Sequence, residues 1–229
     1  MKNSYRQFCP IAKASEVFAC RWTPLMMRDL MYGSRTFNDL HRGIPLISRA
    51  VLVARLRQLE QDGIIARHGS EYRMTPAGEA FRPVVAALGQ WGLIYGRDRV
   101  TRDDLDPTLL MWGFRRRANV SELPKQRVVV RFEFSGVPAS RTKYRNMWLM
   151  LQPSGADVCA KDPGFEVDLI FKGKIADIVD VFLGHVLWRT AAGSSLVIEG
   201  DRQLATQLPA WLKLDKVVGR DFPMVPPAA

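Results

Sequence analysis

Cysteine is scarce in this chain. Cys9, Cys20 and Cys159 are the only three in 229 residues, too scattered for a disulfide framework or a structural zinc site. His41, His68 and His185 show no ligand spacing with one another or with the cysteines, so no metal is expected. No apolar run approaches the ~20 residues of a bilayer span. Lys2, Arg6, Lys13, Arg21 and Arg28 interrupt the first thirty residues, which excludes a secretory apolar core there. A Gly-x-Ser-x-Gly elbow, a phosphate loop and a dinucleotide fingerprint are all missing, so neither an enzyme nor a cofactor is expected. These absences point to the reducing cytoplasm, with no membrane partner.

Basic charge is abundant. The net charge is +10, and residues 1–100 hold 15 Lys/Arg, nearly all arginine, against 8 Asp/Glu. Such a balance attracts polyanions, nucleic acid first among them. Apolar residues make up 47% and charged residues 24%, the mix of a chain that folds.

Residues 1–100 read as helices with one short hairpin. A first helix runs from about Pro10 to Ala19, with Ile11, Ala14, Val17 and Phe18 on one face. Thr23-Pro24 opens a second, which ends before Gly33. Thr36 and Asp39 have capping-box spacing and open a third, broken at Gly43-Ile44-Pro45. Ser48 caps a fourth that runs to about Asp62. Its Leu52, Leu56 and Leu59 form a core stripe, Arg49 and Arg55 flank it, and Ala50, Ala54, Arg57 and Gln61 face outward. Residues 64–67 and 71–74 read as strands around a His68-Gly69-Ser70 turn. Thr75-Pro76 caps one long final helix carrying Phe81, Val84, Val85, Leu88 and Trp91.

Residues 103–219 have the texture of an α+β layer. Val128, Val130, Phe132 and Phe134 alternate as a strand; residues 147–152, 157–161, 167–172 and 196–198 supply four more. Ile175, Ile178, Val179 and Phe182 follow helical spacing to Gly184; a short helix over 186–191 and a last one opened by Asp201 complete the pattern. Arg115, Arg116 and Arg117 read as a solvated basic face, and residues 220–229 as a disordered tail.

Helix, helix, helix, helix, hairpin, long helix is the order of a winged helix-turn-helix domain. Cys9-Pro10-Ile11-Ala12, Arg21-Trp22-Thr23, Leu30, Gly33, Arg35, Phe37, Leu40, Ile47-Ser48, Leu52, Arg55-Leu56, Leu59-Glu60, Gly63, Tyr72 and Met74-Thr75-Pro76-Ala77-Gly78 follow in matching order. Over about residues 8–95 the chain strongly resembles the HxlR family of bacterial transcriptional regulators, relatives of the MarR regulators. Val167-Asp168-Leu169, Ile198-Glu199-Gly200-Asp201 and Leu208-Pro209-Ala210-Trp211-Leu212 look like the sterol-carrier-protein-two-like domain. The expected organisation is therefore a DNA-binding and dimerisation domain over 1–102, a ligand-binding domain with a five-stranded sheet over 103–219, and the tail.

The resemblance implies a homodimer that binds double-stranded operator DNA and pairs through its first and last helices. Ser48, Arg49 and Arg55 are the groove and phosphate candidates; Arg35, Thr36 and Asn38 are placed to grip the backbone; Arg67, His68 and Ser70 mark the wing. The chain departs from the family at Ala50, Val53 and Ala54, and its wing is short, which predicts much phosphate binding and modest base readout. A subset of the family senses oxidants through a cysteine at the Cys-Pro step, which makes Cys9, with Lys13 one turn on, a redox candidate. The carrier-like domain implies an apolar or amphipathic small-molecule effector. Trp148, Met150, Phe165, Phe171, Phe182, Val186, Trp188 and Leu196 are candidate walls, and Arg131, Arg145 and Arg189 candidate head-group partners. The alternative from the same residues is a lipid-binding or carrier protein whose winged helix serves mainly for dimerisation.

Overall fold

A computed structural model of the chain describes residues 4–214. The expected tail at 220–229 and the last residues of the expected second domain lie outside them. The chain divides into two compact units, one ending at Gln90 and the other beginning at Trp91.

The N-terminal unit is built on local signals. Pro10 and Pro24 occupy first-turn positions of α1 (Pro10–Phe18) and α2 (Thr23–Met31), where a missing N–H costs nothing. In α1 the inward face differs from the expectation. Ala12 is buried and Val17 and Phe18 pack on the core, but Ile11 is 77% exposed and Ala14 lies outside. Trp22, ahead of α2, takes a left-handed φ of 79°, unusual for a residue with a Cβ, and Arg21 lies over its ring. The capping box forms at α3 (Phe37–Gly43), where the Thr36 hydroxyl accepts from the Asp39 amide and the Asp39 carboxylate accepts from the Thr36 amide. Ile44 and Ile47 bury the turn that follows, and Ser48 caps α4 (Arg49–Gln61). Gly63, at φ +69°, lets the chain leave α4 in a conformation that side chains disfavour.

The wing is β1 (Ile65–His68) against β2 (Glu71–Met74). The Tyr72 amide donates to the Arg35 carbonyl at 2.7 Å and Thr36 bridges Glu71, so the wing is tied to the start of α3. The single long helix expected after Thr75 is two: α5 (Pro76–Glu79) and α6 (Arg82–Tyr95). Pro83 is the reason, since it has no amide to continue the ladder and its ring crowds the carbonyl four residues back.

In the C-terminal unit α7 (Pro107–Arg117) precedes the sheet, a helix that strand alternation does not predict. Its sheet comprises β3 (Val128–Ser135), β4 (Asn146–Gln152), β5 (Gly155–Cys159), β6 (Leu169–Lys174) and β7 (Leu196–Gly200), in the order β5-β4-β3-β6-β7. Within this sheet β3 and β6 pair in parallel and the other neighbours pair antiparallel. One face carries Val130, Phe132, Leu149, Phe171 and Leu196 into a core with Leu110 and Phe114 of α7, Ile178 of α8 (Ile175–Leu183) and Leu208 of α10 (Arg202–Trp211), with the short α9 (Trp188–Ala191) at its edge. The Phe132 ring stacks on Phe114 and Phe171 at 5.3 and 4.9 Å.

Arg117 corrects the reading of residues 115–117 as a solvated face. Its guanidinium donates to the Phe182 carbonyl and, at 2.8 Å, to the Lys213 carbonyl, and lies over the Phe182 ring. It thus joins the ends of α7, α8 and α10. Arg115, half-buried, lies 3.7 Å from Asp157.

Candidate nucleic-acid interface

Helices α3 and α4, with the Ile44–Ser48 turn between them, form a helix-turn-helix, and α4 is the element built to be presented. Leu52, Leu56 and Leu59 are essentially inaccessible and fix its rotation on the core. The opposite side, Ala50, Val53, Ala54, Arg57 and Gln61, is exposed. Ser48 and Arg49 stand exposed at its N-terminus, where uncapped amides point outward and the helix dipole favours a phosphate. The Ser48 hydroxyl accepts from the Val51 amide at 3.3 Å, which leaves its proton for an outside acceptor. Arg49 lies over the Phe37 ring at 5.6 Å. Among the described residues neither Arg49 nor Arg57 meets a carboxylate. Sequence reasoning put Arg57 on the outer face without giving it a role; an arginine in the exposed register two turns after Arg49 was the available signal.

Ser48→Ala is expected to lower the stability of this unit by about 1 kcal/mol, the usual cost of losing a helix cap, in urea unfolding. An unchanged midpoint would show that the hydroxyl does not cap.

The other candidates divide. Asn38 is exposed in the first turn of α3, and His68 and Ser70 are exposed at the wing tip. Arg67, beside them, donates from Nε to the Gly69 carbonyl at 2.9 Å and keeps the rest of its fork outside. Arg35 points inward, donating to the carbonyls of Leu30 at 2.8 Å and Ser34 at 3.2 Å, and so closes the end of α2. The Thr36 hydroxyl is committed to Asp39. Arg55, half-buried, lines a cleft with residues of α1 rather than standing beside Arg49.

Cys9 is half-buried at the N-cap of α1 with no side-chain capping bond. The cation expected to support it is engaged elsewhere, since Lys13 Nζ donates to Glu16 at 3.0 and 3.2 Å. That lysine bond, with the Tyr5 amide, holds the Glu16 carboxyl below the ordinary glutamate range. A depressed carboxyl contributes its tether above the ordinary glutamate pKa and loses it as pH falls through the lowered folded value. The Tyr5 amide NMR signal is therefore expected to titrate with a midpoint below that of unfolded glutamate; a midpoint at or above it would show that Glu16 does not hold this segment.

In the C-terminal unit the eight expected walls do not form one lining. Phe171, Phe182, Val186, Trp188 and Leu196 belong to the helix-covered core or pack against it, with Trp188 5.7 Å from Phe171. Trp148 and Met150 project from the other sheet face, next to Met147 and Leu149 that point inward. Phe165 is exposed under Arg127 at 3.6 Å. Arg131 pairs with Glu133, while Arg145 and Arg189 are exposed. Burial pushes the Cys159 thiol up, and Asp157 adds to it. Among the described residues no group of three or more His, Cys, Asp or Glu is placed to hold a metal ion, and no helix is long and apolar enough to cross a membrane.

Comparison with known proteins places this geometry. The HxlR-like helix-turn-helix family matches residues 17–99. The HTH-type transcriptional regulator YtfH of Escherichia coli is 34% identical over 96 residues, 39% of this chain and 76% of YtfH. YybR of Bacillus subtilis, another HTH-type transcriptional regulator, is 30% identical over 100 residues, 40% of this chain and 80% of its own length. Among solved structures, quinone-bound YodB from B. subtilis is similar over 37% of this chain and 97% of YodB, at 32% identity and a TM-score of 0.35. The ubiquinone synthesis protein UbiJ-SCP2 is similar over 62% of this chain and all of its own, at 17% identity and a TM-score of 0.29. Both of these sequence relatives are HTH-type transcriptional regulators.

Proposed function

The chain belongs to the HxlR-like helix-turn-helix family of transcriptional regulators, and from that premise we propose that it binds operator DNA as a homodimer, through α4 in the major groove and the wing on the flanking backbone, in the cytoplasm. The observation that carries this reading is α4 itself. A helix locked by three buried leucines presents Ser48, Arg49 and Arg57 with no acidic partner among the described residues. With Ala50, Val53 and Ala54 between those cations, contact with phosphates and thymine methyls outweighs hydrogen-bonded base readout.

Two features support the dimer. On the approach to and start of α1, Phe8 and Ile11 are 99% and 77% exposed, and on α6 Val84, Leu88, Trp91, Ile94 and Tyr95 are exposed as well. Apolar surface on this scale is covered in use. A second copy is the natural occupant, because a palindromic operator needs two reading helices.

The C-terminal unit is assigned the effector, an apolar or amphipathic small molecule. The cluster of Phe182, Val186 and Trp188, half-buried beside the core, supports that assignment. Regulation follows if the effector favours one state of the dimer. The experiment is a gel shift of the full chain on DNA from upstream of its own coding region, with unrelated DNA as competitor, alongside native mass spectrometry. Specific retardation by a dimer is expected. A monomer that retards both DNAs equally would sink the proposal and favour the carrier reading.

A further inference from the structure

The N-terminal unit contains a cleft that operator binding does not use. It has a volume of about 420 Å³, lies between α1 and α4, and is lined by Lys13, Glu16, Cys20, Arg55 and Asp62, with apolar wall from Val17 and Leu59. A second hollow of about 390 Å³ shares Glu16, Cys20 and Arg55 with it. A pocket of this size suits a small molecule.

The charges around it are nearly all committed. Glu16 accepts from Lys13, from the Tyr5 amide at 2.9 Å and from the Ser4 hydroxyl at 3.1 Å. Asp62 accepts from the Gln58 amide at 3.0 Å. Arg21, on the second hollow, lies over Trp22. Arg55 is the exception. It is half-buried, lines both hollows, and among the described residues has no hydrogen bond, ion pair or ring partner. A guanidinium offers five N–H donors in a planar fork that matches a carboxylate, and partial burial strengthens that match by removing water. Glu16 and Asp62 on the same walls repel a multiply charged anion more than a singly charged one, and Val17 offers an apolar body a place to lie.

We infer that this cleft binds a small organic monocarboxylate, its carboxylate on Arg55 and its apolar body against Val17. The site is distinct from the effector site assigned to the C-terminal unit. Because Arg55 stands on α4, occupancy acts on the helix that carries Ser48 and Arg49. That consequence rests on the operator-binding reading, whereas the binding site itself does not.

The test uses the full chain without DNA and benzoate as the probe. Calorimetry is expected to show saturable benzoate binding, with the neutral isostere benzamide and inorganic phosphate each at least about tenfold weaker. Arg55→Gln is expected to lose about tenfold or more, and Arg55→Lys, which keeps the charge but not the fork, to fall between. Benzoate is also expected to slow alkylation of Cys20 by iodoacetamide in the unaltered protein, read by peptide mass spectrometry with Cys9 as internal control. This second measurement decides the matter if Arg55→Gln fails to fold. Equal binding of benzamide or phosphate, full benzoate affinity in folded Arg55→Gln, or an unprotected Cys20 would each overturn the assignment. A chain that binds benzoate as expected but fails the gel shift would retain this site and lose the operator reading.

Discussion

Asp29→Ala is expected to destabilise the N-terminal unit by about 3 kcal/mol, the low end for removing one member of a buried ion pair. Asp29 is fully buried in α2, and its Oδ1 accepts from Arg28 Nε at 2.9 Å. Arg28 also donates from Nη2 to the Gly43 carbonyl at 2.9 Å, at the last residue of α3. The pair therefore spans the two helices that support α4. Alanine takes away the carboxylate and leaves a guanidinium, 23% exposed, without its counter-charge in a partly desolvated setting. For a unit of this size the loss corresponds to a fall in melting temperature of roughly 12–24 °C. The methyl signals of Met26 and Met27, both completely buried in the same unit, report its unfolding separately from that of the C-terminal unit. The double replacement Arg28→Met, Asp29→Leu is expected to recover much of the loss, because a buried ion pair exchanged for apolar groups of similar size is often close to neutral. A single Asp29→Ala variant within 1 kcal/mol of the parent would mean that the pair does not brace the helices.

What the sequence disclosed and what it withheld divide along one physical line. The Thr36–Asp39 box, the Ser48 cap, the leucine stripe of α4 and the alternation of β3 are interactions within a few residues, and each was legible as a local pattern. The break before α6 was legible too, in Pro83, but the apolar periodicity from Phe81 to Trp91 outweighed it. The fates of Arg28, Arg35, Arg55 and Arg117 were not legible, because an arginine in a basic sequence carries no mark of whether its partner is solvent, DNA or a carbonyl 65 residues away. Arg35 closes α2, Arg117 fastens three helices, and Arg55 faces a cleft, all through contacts set by tertiary packing. The left-handed Trp22 belongs with them, since nothing local favours that conformation for a tryptophan. In the second unit the same limit separated Trp148 and Met150 from Phe171. Apolar side chains were easy to find, but which sheet face each one joined depended on register.

Arg49→Ala is expected to weaken operator binding by roughly ten- to a hundredfold, the range for one specific arginine contact, while the fold changes little. The asymmetry follows from where the side chain spends its interactions. Its only partner among the described residues is the half-buried Phe37 ring, an arrangement worth about 0.5–1 kcal/mol at the surface. The rest of the guanidinium is directed to solvent beside the amides that begin α4. The manner of the loss identifies the contact. If Arg49 holds a phosphate, as the alanine-rich face of α4 implies, affinity for operator and for mismatched DNA falls by similar factors, and the slope of log affinity against log salt shrinks by about one unit. If Arg49 reads a guanine edge, the operator loses more than the mismatched sites and the salt slope is largely kept. Arg57→Ala, two turns further along and equally free of acidic partners, is expected to follow the phosphate pattern with a smaller loss, because it lies away from the helix N-terminus where the dipole adds to the attraction. Asn38→Ala, on the exposed first turn of α3, supplies the reference for a polar contact without charge. Operator affinity unchanged in Arg49→Ala, measured by fluorescence anisotropy at moderate salt, would mean that this end of α4 does not meet the duplex, and the α4-in-groove arrangement would have to be abandoned.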